Sequence, residues 1–377
     1  MGDIMSQPFI SRQDLEKAGE NGHAMYRVPG IVVTRRGTVL VYYDARNGEG
    51  ENATQDLYFR RSVDNGQTFG ERVAVCQGEC GENLHNIVML AETHRDTVHL
   101  FWHKNHRQCF HQDSFDDGLT WSNPEDITSV IAKYRPEYNW DVFSLGPGHG
   151  IQLKNGGLLV PLWMSNAGNK HRPSTVSCIY SDNAGHNWQR GEIIWDSTEL
   201  INPSEGVVVQ LNDGKVLMNI RHESQVNLRA ITISKDGKSG WSKPVFDQGL
   251  PDPVCFGSIV RLSEQAAAGF DGILFSNCAW ADEEGLSARL HGGSVRWSND
   301  ARRNLTVKLS LDECRTWSYC KLLEEQAGYS DLAVSPDGKS IFCIYEKEWL
   351  DTCINTKYLT LARFNVEWLS SGKLDIG

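Results

Sequence analysis

The 377-residue sequence predicts an all-β fold, a six-bladed β-propeller, on three observations: a turn motif that recurs along the chain, strand-like runs between its copies, and 35 glycines with 12 tryptophans. Many glycines serve tight turns and many tryptophans serve as aromatic plugs, a composition that suits repeated short strands better than a helical bundle. The motif reads Ser, any, Asp, any, Gly, any, Thr, aromatic. Ser62, Asp64, Gly66, Thr68 and Phe69 form one copy, and Ser114, Asp116, Gly118, Thr120 and Trp121 a second. Ser181, Asn183, Gly185, Asn187 and Trp188 form a degraded third. Ser310, Asp312, Thr316 and Trp317 form a fourth with Cys314 in place of the glycine, and Ser234, Asp236 and Trp241 are a weaker echo. Asp and Gly build a hairpin turn, the Asp side chain caps local backbone N–H groups, and the aromatic pins the turn to the sheet. Copies spaced on the order of 50 to 75 residues suit a unit of about four strands, one propeller blade, and the chain holds roughly six such units.

The intervening segments, among them RVPGIVVTRRGTVLVYYDAR, DTVHLFWHK, GGLLVPLWMS, GKVLMNIRH and KSIFCIYEKEW, are rich in β-branched and aromatic residues and are separated by Gly or Asp-Gly turns. Short helices are expected only at Ser11–Gly19 and at Asn123–Tyr134, the latter with Pro124 in its first turn. No Pro- or Ser-rich linker interrupts the chain, so residues 1–377 are expected to form one domain.

A net charge of −11 argues against a nucleic-acid partner, since binding a polyphosphate requires clustered Lys and Arg. Any anion must be caught by a local pocket. No stretch is long and apolar enough to span a bilayer, and Met1–Phe9 lacks the basic start and apolar run of a secretory signal. A cytoplasmic location is therefore expected, with secretion left open. Most of the ten cysteines sit singly in apolar runs and read as reduced, buried small hydrophobes. Cys76 and Cys80 have the spacing of a loop disulfide or a metal pair, but no second Cys/His pair lies nearby in the sequence. His103, His106 and His111 read as a polar loop rather than a metal site, and no metal or organic cofactor is called for.

The turn motif resembles the Asp box of sialidases, and Tyr26-Arg27-Val28-Pro29 looks like that family's N-terminal Phe/Tyr-Arg-Ile-Pro motif. The likeness runs from about Tyr26 to Glu346. It includes Gly146-Pro147-Gly148-His149-Gly150, Ser204-Glu205, Asn219-Ile220-Arg221 and Gly328-Tyr329-Ser330-Asp331. The resemblance implies an exo-α-sialidase acting on sialylated glycoproteins, gangliosides or oligosaccharides. Sialidases hold the substrate carboxylate with three arginines, which the resemblance places at Arg27, Arg221 and Arg302. Arg303 is adjacent, and the run of Arg, any, Asn before an alternating strand favours Arg302. A guanidinium is always charged and offers planar paired donors, so three converging ones select an acidic sugar.

Tyr329 matches the family's nucleophile and Glu205 the carboxylate beside it. A sugar whose anomeric carbon bears a carboxylate repels a carboxylate nucleophile, and a neutral phenol is the better attacker. A free tyrosine has a pKa of about 10, so it needs a base and positive charge close by. Arg46 resembles a family arginine near the sugar 4-hydroxyl and Asn86 a neighbouring polar position, while Trp163 and Met164 are placed to line an apolar wall for the N-acetyl group. The family's acid/base is an aspartate on the loop that here runs from Asp44 to Asp56, and no Asp falls at its place. Glu51 is the nearest match, with Glu49 and Asp56 as alternatives. The triplet Asn52-Ala53-Thr54 fits a glycosylation sequon. Retaining hydrolysis is the implied reaction; transfer to another sugar and release of an internally cyclised sugar are its variants. The missing aspartate supports one rival, a sialic-acid-binding lectin that has lost turnover.

Overall fold

The computed structural model describes residues 7–48, 55–79, 82–168, 170–262, 271–279 and 302–372, with the backbone of 288–291 and 294–297. Hydrogen bonding divides it into successive antiparallel sheets in a propeller-like arrangement. Met25–Val33, Val39–Arg46, Gln55–Ser62 and Val73–Cys76 form the first, and Leu84–Ala91, Val98–Lys104, Gln108–Ser114 and Glu125–Asp126 the second. The third joins Val142–Leu145, Leu158–Ala167, Lys170–Ser181 and Gln189–Arg190, with Ile151–Gln152 at its side. Ser204–Gln210, Val216–Arg221, Leu228–Ser234 and Val245–Pro251 form the fourth. Ala288–His291 and Ser294–Trp297 make a separate hairpin.

The expected six separate blades are corrected at this point. The rest of the described chain forms one seven-stranded sheet, in the order Ile10–Lys17, Thr356–Phe364, Ile341–Trp349, Tyr319–Val334, Arg303–Ser310, Gly272–Cys278 and Ser258–Leu262. Its cause is the 16-residue strand Tyr319–Val334, whose first half pairs with Arg303–Ser310 and whose second half pairs with Ile341–Trp349. Repeat spacing counts turns, and it is blind to one long strand serving two ladders.

Two helix expectations also change. Ser11–Gly19 lies mostly in the strand Ile10–Lys17, whose ladder with Thr356–Phe364 pairs Ile10 with Phe364 and joins the beginning of the fold to its end. Seven cross-strand pairs override a weak local helix preference. Of Asn123–Tyr134 only Thr128–Ala132 is helical, after Asp126 accepts the Thr128 N–H at 2.8 Å. His103 and His111 lie buried on strands, not in a polar loop.

The turn motif folds as its chemistry requires. Ser62 Oγ donates to Asp64 at 2.7 Å and accepts the Gly66 N–H at 2.9 Å, while Asp64 accepts the Thr68 N–H and hydroxyl at 2.9 and 2.7 Å. Ser114, Asp116 and Thr120 repeat the pattern, as do Ser310, Asp312 and Thr316. The glycine position takes φ of 74° at Gly66, and Cys314 is forced to 64° in the fourth copy. The aromatics reach across to the neighbouring sheet: Trp121 meets Phe59 edge-on at 5.8 Å and Trp188 meets Phe101 at 5.0 Å.

The core lies between consecutive sheets. Val41 and Tyr43 pack with Phe342 and Leu361, Leu40 and Phe59 with Leu100 and Trp102, and Leu159 with Val208 and Met218. A middle strand such as Val39–Arg46 is therefore buried along both faces and reads as a continuous apolar run. Each large side chain so buried contributes about 1.5–3 kcal/mol. Asp331 knots the inner strands together, accepting from the Ile31 N–H at 2.9 Å and Ser258 Oγ at 2.6 Å, with His149 Nδ1 at 2.9 Å.

Candidate active site

Four strands break register where they reach a single cavity: between Arg27 and Gly30, His85 and Val88, Ser204 and Gly206, and Ala327 and Ser330. A bulge re-aims the side chain it carries, and these turn Arg27, Asn86, Glu205 and Tyr329 toward one space. The backbone cost is visible at Val28, φ 52°, a conformation β-branched residues seldom adopt.

The cavity measures about 290 Å³, and Arg27, Arg46, Glu205, Arg221, Arg302 and Tyr329 all line it. A side chamber of about 80 Å³ adds Asn86 and is shared by Trp163. The guanidinium carbons of Arg27, Arg221 and Arg302 stand 5.5, 5.8 and 5.1 Å from the centre of the Tyr329 ring. Tyr329 Oη donates to Glu205 Oε1 at 2.6 Å and accepts from Arg221 at 2.5 Å, and Arg221 also pairs with Glu205. Burial pushes the Tyr329 phenol well up, and the three guanidiniums offset only part of that shift. The phenol is therefore neutral at rest, with a proton acceptor already in contact.

Glu346 orders the cradle from behind. Fully buried, it accepts from Arg27 Nε and the Val28 N–H with one oxygen, at 3.1 and 3.0 Å, and from Arg27 and the Tyr329 N–H with the other, at 3.3 and 3.1 Å. Burial alone would raise its pKa, but Arg27, Arg302 and the backbone donor hold it below the usual range. Gly328 makes this possible, since a Cβ there would lie 2.2 Å from Glu346 Oε2. Around Tyr329, among the described residues, three guanidiniums meet two carboxylates, Glu205 and Glu346, which leaves the pocket electropositive and suited to a carboxylate ligand.

Arg46 stands 3.8 Å from Asp44, which burial raises to about 7 although Arg46 and Arg27 pull it down. Asn86 donates to Ser144 Oγ at 2.9 Å, which fixes its amide beside the side chamber. At the rim, Glu223 accepts from Arg172 and, at 2.8 Å, from Asn202.

Two expectations fail here. Asp56 does not line the cavity: it is buried against His23 Nε2 at 2.9 Å and accepts the Gly78 N–H at 3.0 Å. Met164 packs into the core with Phe143 and Leu162, because successive residues of a strand face opposite ways and Trp163 takes the cavity side. Glu49, Glu51, the Asn52 triplet and Cys80 lie outside the described residues. Glu346, Asp44, Arg172 and Glu223 went unread in the sequence. The first two did carry a signal, an acid inside an apolar strand, which demands a buried partner.

Residues 70–342 match the BNR repeat-like domain, the repeat seen here as the Asp-box turn. Curated relatives include a sialidase of Micromonospora viridifaciens, 29% identical over 96% of this chain and 55% of that protein. A Bacteroides fragilis sialidase is 28% identical over 91% of this chain and 64% of its own length. The chain belongs to the BNR-repeat sialidase family. It spans between about half and two thirds of the length of these two relatives. Among solved structures, the Hadza microbial sialidase Hz136 shares the fold with a TM-score of 0.77 at 23% identity, covering 95% of this chain and 69% of that one. The intramolecular trans-sialidase of Ruminococcus gnavus superposes at 0.74 with 18% identity, over 95% and 98%. No helix among the described residues is long and apolar enough to cross a membrane.

Proposed function

We propose that this sialidase-family protein is an exo-α-sialidase that removes terminal sialic acid from glycoconjugates with retention of configuration. The observation that carries this reading is the Tyr329–Glu205 hydrogen bond set among Arg27, Arg221 and Arg302. The three guanidiniums hold the substrate carboxylate, while Arg46 and Asn86 face the sugar's other polar groups. As Tyr329 Oη attacks the anomeric carbon, Glu205 takes the phenol proton and the glycosidic oxygen leaves with a proton from an acid on the 47–56 loop. Glu51 is proposed for that acid, with Glu49 as the alternative. Water then attacks the same carbon and gives its proton to that residue, Tyr329 departs as the leaving group, and Glu205 returns the phenol proton.

Hydrolysis of a fluorogenic aryl sialoside by wild type and Tyr329→Phe tests the proposal, with the products followed by NMR. Turnover giving the α-anomer of free sialic acid first, and its loss in the variant, is expected. Binding of free sialic acid without turnover would make the protein a lectin, and a cyclised or transferred sugar would replace hydrolysis with transfer. Among the described residues, eight cysteines other than Cys353 form no disulfide, six of them buried, and these support a proposed cytoplasmic, reducing location. Titration of freshly isolated, denatured protein should then find all ten thiols free.

A further inference from the structure

A second cluster of titratable side chains lies on the hairpin of Val98–Lys104 and Gln108–Ser114, which contributes none of the residues named for the sialic acid cavity. His99 and Asp113 are direct cross-strand partners, and His111 precedes Asp113 by two residues, so the three share one face of the sheet. Their ligand atoms converge: His99 Nδ1 is 2.6 Å from Asp113 Oδ1 and 3.2 Å from His111 Nε2, which is 3.1 Å from the same Asp113 oxygen. Two aromatic nitrogens and a carboxylate oxygen in so small a triangle are held together either by imidazole N–H groups donating to Asp113 or by a metal ion that takes the place of those protons. A tetrahedral ion with bonds of about 2.0–2.1 Å spaces its ligands about 3.3 Å apart, so a small opening of the Asp113 edge admits one.

The surroundings are those of a prepared ligand set. His99 Nε2 lies 3.2 Å from Glu92 Oε1, and Glu92 Oε2 accepts from Gln152 at 2.8 Å. A carboxylate that accepts a hydrogen bond from the Nε2–H favours the tautomer whose Nδ1 lone pair points toward the triangle, the arrangement by which proteins orient metal-binding histidines. The rings are fixed as well. Phe101 stacks on His111 at 4.8 Å, Trp188 meets both imidazoles edge-on, and a Cβ on Gly185 would lie 2.4 Å from His99 Cε1. His99 and His111 are buried, whereas the Asp113 side chain is 29% exposed, which provides a way in and room for water as a further ligand.

We propose that His99, His111 and Asp113 bind one borderline divalent transition-metal ion of the zinc class. The ion clamps this hairpin where it meets Gln152 and Trp188 of the next sheet. The site is structural and separate from the sugar chemistry.

The test uses untagged full-length protein, stripped with a chelator, loaded with Zn²⁺ or Co²⁺ and dialysed. Wild type is expected to retain about one equivalent of metal, to show the visible absorption of tetrahedral Co²⁺, and to melt several degrees higher with Zn²⁺ than without. Asp113→Asn and His111→Gln should each lose at least about tenfold in retained metal, with no Zn²⁺-dependent rise in melting temperature. If a variant misfolds when stripped, the wild-type cobalt spectrum and stoichiometry decide alone. Wild type without retained metal would overturn the proposal and make a proton on His99 the cation between Glu92 and Asp113. Equal retention by folded variants would overturn it too, placing the ion elsewhere.

Discussion

At the Asp-box turns, Asp64, Asp116 and Asp312 are only half-buried, and donors from their own loops hold their carboxyls below the usual range. In and behind the cavity, Asp44 and Glu346 are fully buried, and the charge of each depends on arginines delivered by strands. The same chemical group is therefore cheap at one place and costly at the other. A turn carboxylate is satisfied within five residues and recurs wherever its motif recurs. A buried one is tolerable only when the finished fold supplies a guanidinium, which couples ordering of the cradle to folding. Substitutions in the two regions should accordingly separate catalysis from stability.

Tyr329→Phe should break the cavity side most severely. Loss of the proposed nucleophile is expected to lower kcat on an aryl sialoside by about 10³-fold or more, equivalent to about 4 kcal/mol, with the melting temperature little changed. A fall within tenfold would remove Tyr329 from the chemistry. Next comes Glu346→Gln, which strips the counter-charge from Arg27 and should cost about 3 kcal/mol in urea denaturation while raising KM. Unchanged stability and KM would mean that Arg27 is ordered without it.

Asp44 sharpens the comparison through pH. Its carboxyl titrates at about 7 when folded against 3.8 as a free group, so between those values the native state holds the extra proton. Stability then declines as pH rises across that window, and the favourable contribution is gone above about 7. Asp44→Asn should remove the decline, a difference of about 2 kcal/mol between the two pH extremes after allowing for relaxation around a buried group. Parallel profiles for wild type and variant would contradict this. The smallest effect belongs to the turns: Ser114→Ala orphans the Gly118 N–H and should cost about 1 kcal/mol, with kcat and KM unaltered.

Much of this division was legible in the sequence, for a reason that differs between the regions. Asp-box turns are closed by bonds between residues two to four apart, so a one-dimensional pattern contains them whole. Arg27, Glu205, Arg221 and Tyr329 were legible through short flanking motifs, but their convergence was not. It rests on bulges at four strands, and register belongs to two strands at once. The same blindness hid the shared strand Tyr319–Val334 and put Met164 on the wrong face. Ile10–Lys17 escaped because its pairing partner lies more than 340 residues away. Glu346 was readable in principle, as an acid in the apolar run Ile341–Tyr345, had the question of its partner been asked.

The most direct measurement is intact-protein and peptide mass spectrometry after exposure to a 2,3-difluoro analogue of sialic acid, which slows release of a covalent sugar from its nucleophile. A single sugar adduct on the peptide carrying Tyr329, absent in Tyr329→Phe, is the expected result. An adduct on Glu205 or another residue, or turnover of the analogue with no adduct at any time, would contradict a phenol nucleophile held among three guanidiniums.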